Sequence, residues 1–249
     1  MASEQKSLDA DFVSSRLPAL ENLADDIMSQ MASLSVQEIS TILGISNQLA
    51  SKARLLAYNF PHKQTGLEAL YAFIGEAYKG LDVKSMSDSA IKNACLNLRI
   101  FSSVYGILKP DDIIKPYRCE FNKPFLEGNK TPIQILKPKV TIDIVNQIKE
   151  RKIKDVINLL PGDAEKMADW KIIRAFANVN KIVFQTIDSA GNLKTPIAKR
   201  LKELRGIMAR TIFELGIESF EDLTKVESEH FAYYPEASKP LLPIFIASE

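Results

Sequence analysis

The sequence contains few of the residues that usually build metal sites and hydrolytic active sites. Its 249 residues include two histidines, His62 and His230, and two cysteines, Cys95 and Cys119. Neither histidine has a Cys or His neighbour at metal-ligand spacing, which argues against a zinc site and a histidine-based triad. The cysteine spacing does not resemble a secreted framework, so it favours a reduced chain. We therefore expect no bound metal and no cofactor.

Long hydrophobic runs are also missing. No window approaches the roughly 18 to 20 apolar residues of a membrane span, and residues 1–6 do not resemble a secretory signal. Hydrophobic residues make up 46% of the chain and charged residues 25%, which excludes a disordered chain, a collagen-like repeat and a disulfide scaffold. These absences predict a cytoplasmic protein with no membrane partner.

Helical periodicity dominates the first half of the sequence. Apolar residues recur at three- and four-residue steps over 17–31, after Ser35, over 47–60 and over 88–104. Gly106 is expected to stop the last of these helices. Short apolar runs at 156–160, 181–187 and 243–246 predict strands. Residues 122–139 resemble a long connection. The pattern predicts an α+β or mixed α/β fold, as a single domain over 1–249 with a small mixed sheet, surrounding helices and a helix-hairpin-helix-like element.

The near-neutral charge of the chain results from a cancellation between segments. The chain has 32 basic and 31 acidic residues, for a net charge of +1. Residues 1–50 hold seven acids and two bases, whereas 194–210 hold six bases and one acid, and 149–154 add four bases. A solvated helix face is the default explanation for such a run, and an anion-binding face is the more specific alternative. The candidate phosphate contacts in the basic segment are Lys199, Arg200, Lys202, Arg205 and Arg210.

A short glycine-containing turn joins two predicted helices at residues 43–50. Backbone N–H groups at the start of the second helix suit a phosphate oxygen, because they are unpaired and lie at the positive end of the helix dipole. The candidate phosphate contacts are Gly44, Ser46, Asn47 and Lys52. The second glycine usual in a helix-hairpin-helix is absent. An ordinary pair of packed helices is therefore the alternative.

Residues 98–121 form the segment richest in polar groups beside a predicted core helix. Pro110 and Pro116 are expected to hold a rigid loop that displays polar side chains, which is typical of functional sites. The displayed set is Tyr105, Asp112, Tyr117, Arg118 and Glu120. Tyr117, Arg118 and Glu120 are the candidates for catalysis. A structural role, with Arg118 paired to Asp112 or Glu120, is the alternative.

This segment and three others resemble the YaaA family, described as peroxide-stress proteins. The other three are 73–81, 157–159 and 204–210. The central matches are Leu98, Arg99, Ser102, Tyr105, Gly106, Leu108, Pro110, Asp112, Pro116, Tyr117, Arg118 and Glu120. Family members open with a strand and Ser-Pro-Ala-Lys, which this chain lacks, with Lys6 as the nearest equivalent of the motif lysine.

The resemblance implies a basic cleft that binds double-stranded DNA and a role in limiting the oxidative damage driven by free iron. Arg99 and Arg118 would then lie deeper in the cleft than the bases of 194–210, with Lys6 as a further contact. Our first hypothesis is a DNA-associated stress protein that contacts backbone phosphates. The alternative is an enzyme acting on a small phosphorylated or nucleotide-like substrate in the same cleft. Direct iron chelation is disfavoured, because scattered carboxylates are a poor iron site.

Overall fold

The computed structural model of the chain describes residues 16–62, 66–226 and 228–248. The α-helices are α1 (Glu21–Ser33), α2 (Val36–Leu43), α3 (Asn47–Asn59), α4 (Ala69–Ala72), α5 (Glu76–Leu81), α6 (Asp88–Asn97), α7 (Pro132–Arg151), α8 (Gly162–Glu165), α9 (Trp170–Ile173), α10 (Ala198–Glu214) and α11 (Phe220–Thr224). The strands are β1 (Leu67–Glu68), β2 (Ile100–Ser102), β3 (Gly106–Leu108), β4 (Ile113–Ile114), β5 (Asp155–Asn158), β6 (Asn178–Lys181), β7 (Val183–Ile187), β8 (Leu193–Lys194), β9 (Phe231–Tyr233) and β10 (Ile244–Ala247). A 3-10 helix spans Val83–Ser85. The predicted mixture of helices with small sheets is confirmed.

The chain divides into two compact units, and each is assembled from three stretches of sequence. Unit 1 comprises Met1–Ile74, Cys95–Ile142 and Gly162–Asp169, and unit 2 comprises Gly75–Ala94, Asp143–Pro161 and Trp170–Glu249. The single domain over 1–249 stays a prediction. None of the described helices is long and apolar enough to cross a membrane.

The second and third helices of unit 1 begin at capping serines. Ser35 forms a reciprocal capping box with Glu38 at the start of α2, and Ser46 accepts a hydrogen bond from the Leu49 N–H at the start of α3. The apolar face of α1 packs into the core through Ala24, Ile27, Met28 and Met31. The predicted helix at 17–31 is shorter than expected, since Leu17 lies before α1 and is 61% exposed.

The helix predicted over 88–104 is wrong in its second half. α6 ends at Asn97, and β2 and β3 follow as an antiparallel hairpin with Ser102 opposite Gly106. The Ser102 hydroxyl accepts hydrogen bonds from the N–H groups of Val104 and Tyr105, and Gly106 has a φ of 75°. Side-chain capping of the turn and a left-handed glycine therefore make a hairpin where the apolar spacing predicted a helix.

The connection predicted over 122–139 is also too long. α7 begins at Pro132 and includes Pro138. Proline is favourable at the first position of a helix because that residue needs no N–H donor, so Pro132 starts α7. The connection before α7 is therefore confined to residues 122–131.

A four-stranded mixed sheet forms the core of unit 2. Its strand order is β8-β7-β10-β9, with β7 and β10 parallel and the outer pairs antiparallel. Phe184, Phe231 and Phe245 are buried beneath it with Leu204 and Met208 of α10. β5 and β6 form a separate parallel pair. The small mixed sheet is confirmed, and it positions α10 on its core side.

Two glycines set the close contact between α5 and α10 in unit 2. A Cβ placed on Gly80 would overlap the carbonyl oxygen of Glu203, and one placed on Gly206 would overlap the carbonyl oxygen of Ala77. The backbones of the helices therefore touch at both positions, where a side chain would force them apart. Two of the segments that resemble the YaaA family, 73–81 and 204–210, thus meet as a packing interface.

Candidate nucleic-acid interface

The predicted basic residues of α10 differ sharply in how they are engaged. Lys199 and Lys202 are exposed, whereas Arg200, Arg205 and Arg210 are half-buried. An Nη atom of Arg200 lies 3.1 Å from a carboxylate oxygen of Glu203. The two lysines are therefore the bases of α10 that are most accessible to a ligand.

Lys79 of α5 joins these two lysines to form what we term the lysine face (Lys79, Lys199 and Lys202). Its Nζ donates a hydrogen bond of 2.7 Å to Glu76. That hydrogen bond lowers the pKa of the Glu76 carboxyl, and the positive charges of Lys79, Lys199 and Lys202 lower it further. Lys79 pairs with Glu76, and the positive charges of Lys199 and Lys202 also act on that carboxylate, so the surface carries more positive than negative charge and is of the kind that attracts phosphate.

Arg210 caps the end of α5 and the 3-10 helix that follows it. Its guanidinium donates hydrogen bonds of 2.9 Å to the carbonyl oxygens of Asp82 and Ser85, and one of 2.7 Å to the Ser85 hydroxyl. It also forms ion pairs with Asp82 and Glu214. Asp82 has a φ of 43°, which is a costly left-handed conformation for a non-glycine residue. The hydrogen bonds from Arg210 therefore stabilise this turn.

The predicted glycine turn connects α2 to α3 in unit 1. Gly44 ends α2 with a φ of 65°, and Ser46 caps α3. Gly44, Ser46, Asn47 and Lys52 are all exposed. The geometry thus leaves the start of α3 accessible, while its assignment as a helix-hairpin-helix stays a prediction.

The polar set predicted within residues 98–121 is displayed less than the sequence indicated. Tyr105, Asp112 and Tyr117 are at most 3% exposed, so they belong to the core of unit 1. Tyr117 OH and Ser102 Oγ share a hydrogen bond of 2.8 Å, and Tyr105 OH accepts one from the Lys115 N–H. Burial raises the pKa of the Tyr105 and Tyr117 phenols above the ordinary value of 10.0. The expectation that all five side chains are displayed is wrong, because the two tyrosine rings pack inward and the Asp112 carboxylate accepts hydrogen bonds from Arg16 and the Lys109 N–H.

Arg118 and Glu120 are the half-buried members of that predicted set. Within the described ranges no ion pair joins Arg118 to Asp112 or Glu120, and Asp112 instead accepts a hydrogen bond of 2.8 Å from Arg16 Nε. The buried Nε of Arg118 has no hydrogen-bond partner in that part of the chain. Pairing of Arg118 as a structural ion pair is therefore not observed.

The remaining predicted contacts have separate positions. Arg99 donates hydrogen bonds to the carbonyl oxygens of Leu96 and Leu98, at the end of α6. Lys6 lies outside the described residues. Arg118 and Glu120 belong to unit 1, whereas Arg205 and Arg210 belong to unit 2. Their joint action on a small substrate stays a prediction.

Sequence reasoning missed a polar cleft of about 420 Å³ in unit 2. Its lining combines Gly80, Ile207 and Arg210, which lie in the YaaA-like segments, with residues outside them, namely Asp82, Ser85, Thr211, Ser228, Glu229 and His230. The sequence signal for this cleft was the position of Asp82, which follows Gly80 of the 73–81 segment by two residues. Among the described residues, no group of three or more His, Cys, Asp or Glu side chains is placed to hold a metal ion.

Comparison with known families now bears on these positions. The family model of peroxide stress protein YaaA matches residues 2–237, which is nearly the whole chain. The chain belongs to the YaaA family. A UPF0246 protein of Shewanella woodyi is 28% identical over 100% of this chain and 99% of its own length. A UPF0246 protein of Polynucleobacter necessarius is 29% identical over 92% of this chain and 89% of its own.

The YaaA-like segments have different physical roles in this member of the family. The 73–81 and 204–210 segments supply the glycines at which α5 and α10 touch. The central segment supplies a hairpin and a buried tyrosine pair whose ring centroids are 5.9 Å apart. Much of the family resemblance in this YaaA-family chain therefore describes packing, whereas exposed Lys79 lies within the 73–81 segment and exposed Lys199 and Lys202 precede the 204–210 segment.

Proposed function

We propose that this YaaA-family protein acts in the peroxide stress response by binding the phosphate backbone of double-stranded DNA without reading its sequence, and that it thereby limits iron-driven damage. The observation that supports the proposal most directly is the lysine face. One of its three ammonium groups pairs with Glu76, and the other two belong to exposed lysines of α10 that form no ion pair in the described chain. Each phosphate that a lysine neutralises releases counterions, which gives affinity without base contacts.

The start of α3 supports a second phosphate contact. Gly44 and Ser46 leave the first turn of this 13-residue helix exposed, and Lys52 adds a positive charge nearby in sequence. The N–H groups of a first helical turn have no partners within the helix and suit a phosphate oxygen. The lysine face contributes ammonium groups and the turn contributes backbone N–H groups, and both kinds of group contact phosphate oxygens. Contacts of this kind position a protein on DNA and carry no sequence information.

The salt dependence of duplex binding tests the lysine face. We expect the double variant Lys199→Ala/Lys202→Ala to bind a labelled duplex of about 20 base pairs more weakly, with a log–log salt slope shallower by up to about 1.8, because each lost phosphate contact removes about 0.9. Fluorescence anisotropy over about 50 to 200 mM salt measures the slope.

The matched control is Lys166→Ala/Lys225→Ala, which removes the same charge from two exposed lysines that pair with neighbouring acids. Its slope should equal that of the wild type. Equal slopes for all three proteins, or no binding at low salt, would contradict the proposal. In cells lacking their own YaaA protein, wild type and control should restore peroxide survival and lower free iron by electron paramagnetic resonance, and the lysine variant should do neither.

A further inference from the structure

A second basic surface lies where β5 and β6 begin, within unit 2. Residues 149–154 lead from the end of α7 into β5, and residues 170–177 lead into β6. The two strands are parallel, with Asp155 opposite Asn178, and the Asn178 N–H donates a hydrogen bond of 2.8 Å to the Lys154 carbonyl oxygen. The two lead-in segments therefore reach the same end of the strand pair.

These two segments contain six basic residues and one acidic residue. The bases are Lys149, Arg151, Lys152, Lys154, Lys171 and Arg174, all of them exposed. Within the described ranges, Lys149, Lys152, Lys154 and Arg174 form no ion pair, which contrasts with the paired arginines of α10. Phosphate groups are the ligands that such a cluster favours.

An aromatic ring is exposed among these charges. Phe176 is 44% exposed and Ile172 is 50% exposed. The Nζ atom of Lys149 lies 4.4 Å from the centroid of the Phe176 ring, a cation–π contact that holds the ring in place. We term Lys149, Lys152, Lys154, Ile172, Arg174 and Phe176 the Phe176 surface.

Ordinary helix electrostatics explains only part of this surface. Bases in the last turn of a helix are stabilised by its dipole, which accounts for Lys149 and Arg151 at the end of α7. The dipole does not account for Lys152 and Lys154 beyond the helix, for Arg174 on the other segment, or for an exposed ring. An aromatic platform interleaved with cations is typical of proteins that bind single strands, where bases stack on rings and lysines follow the phosphates.

We propose that the Phe176 surface binds single-stranded nucleic acid, with one base stacked on Phe176 and the flanking phosphates on Lys152, Lys154 and Arg174. A duplex fits less well, because its bases are already stacked on one another and present only their edges. A protein or lipid partner fits less well, because two exposed apolar side chains make too small a hydrophobic patch. DNA and RNA single strands share the chemistry that this surface recognises. The surface is distinct in sequence from the lysine face and does not depend on it.

The test separates stacking from charge by using an abasic strand. Labelled oligo(dT) and oligo(U) of about 15 nucleotides are compared with an abasic oligomer that has the same phosphates. We expect Phe176→Leu, which keeps an apolar side chain but removes the ring, to weaken binding of both base-bearing strands by at least about fivefold. Binding of the abasic strand should not change, and Phe176→Trp should restore binding of the base-bearing strands.

The charge variant gives the complementary readout. Lys152→Ala/Arg174→Ala should lower the salt slope for single strands by up to about 1.4, because each phosphate contact contributes about 0.7, whereas Phe176→Leu should leave that slope unchanged. Leu215→Ala is the matched control, since it removes an apolar side chain that is 63% exposed and lies outside the Phe176 surface, and it should leave binding unchanged.

Three results would overturn the proposal: equal binding of oligo(dT) by wild type and Phe176→Leu, equal binding of abasic and base-bearing strands by wild type, or tighter binding of anionic lipid vesicles than of either strand. An oligo(U) preference would identify RNA as the source, and an oligo(dT) preference would identify DNA. The lysine-face variant Lys199→Ala/Lys202→Ala distinguishes this proposal from the proposed function, since it should alter duplex binding and leave the Phe176-dependent stacking in place.

Discussion

Cys119 illustrates how the buried residues of the central segment are kept neutral. Its side chain is 1% exposed, and the neighbouring Ser103 hydroxyl donates a hydrogen bond of 2.7 Å to its carbonyl oxygen. Burial raises the pKa of the Cys119 thiol to about 12. Burial also raises the pKa of the half-buried Cys95 thiol. Because the thiolate is the form that reacts with peroxide, both cysteines are poorly suited to sense it directly.

We expect the free energy of unfolding to fall as pH rises above 9.0, the ordinary thiol pKa, because unfolded Cys119 loses its proton there while the folded thiol keeps it up to about 12. The loss approaches about 1.4 kcal/mol per pH unit for one such group. Urea unfolding at several pH values measures it. The comparison is made below pH 10.0, where Tyr105 and Tyr117 begin to contribute in the same direction.

The variant Cys119→Ala removes this titrating group. Its stability should therefore depend less on pH over that interval than the stability of the wild type. A wild-type stability that stays constant between pH 9 and 10 would show that the thiol is not protected by burial in the way that its pKa of about 12 indicates.

At the scale of elements, the contact between α5 and α10 depends on two glycines. Gly206→Ala should destabilise the protein by about 3 kcal/mol or more, because the new methyl group meets the Ala77 carbonyl and neither helix backbone can move without disturbing the core. Thermal and urea unfolding measure the change.

Gly162→Ala is the matched control for that substitution. Gly162 begins α8, and a Cβ there meets nothing within 4 Å, so the change should stay within about 0.5 kcal/mol of the wild type. Equal effects of the two substitutions would show that α5 and α10 do not touch at Gly206.

Helix caps made some elements predictable and local side-chain contacts hid others. The starts of α2 and α3 follow from Ser35 and Ser46, because capping serines and apolar spacing indicate the same boundaries. The hairpin after α6 could not be predicted, because it depends on the Ser102 hydroxyl accepting two backbone N–H groups within a continuous apolar pattern. The first turns of α7 were predicted as a connection because they contain prolines, which disfavour a helix interior. Pro138 nevertheless lies inside α7, where packing maintains the helix.

At the scale of the whole molecule, the charge count located the basic segments. It did not show which of their side chains are exposed and which are held in ion pairs. Arg210 is one of the six bases of 194–210, yet it pairs with Asp82, 128 residues earlier in the chain. Such a partner has no local signal in the sequence. Exposure of Lys199 and Lys202 likewise follows from how α10 packs, so the candidate site was predictable as a segment and not as a set of side chains.

Each unit is assembled from three separate stretches of sequence, so a fragment that lacks one stretch should not fold cooperatively. A fragment of residues 143–249 lacks α5, which packs against α10 in unit 2. We expect it to show no cooperative urea transition by Trp170 fluorescence, because the glycine contact and the surface it buries are missing.

Adding a second fragment of residues 1–142, which contains α5, should restore part of the transition. The intact chain serves as the control. A sharp transition in 143–249 alone would indicate that unit 2 folds without its first stretch.

The position of β10 in its sheet has a consequence for synthesis on the ribosome. β10 is the last of the described strands in chain order, yet it lies between β7 and β9 and pairs with both. The sheet of unit 2 therefore cannot close until residues 244–247 have left the exit tunnel, although β7 is translated some sixty residues earlier. During that interval the edge of β7 and the phenylalanines of the core stay uncovered, which is the situation in which a nascent chain benefits from a chaperone.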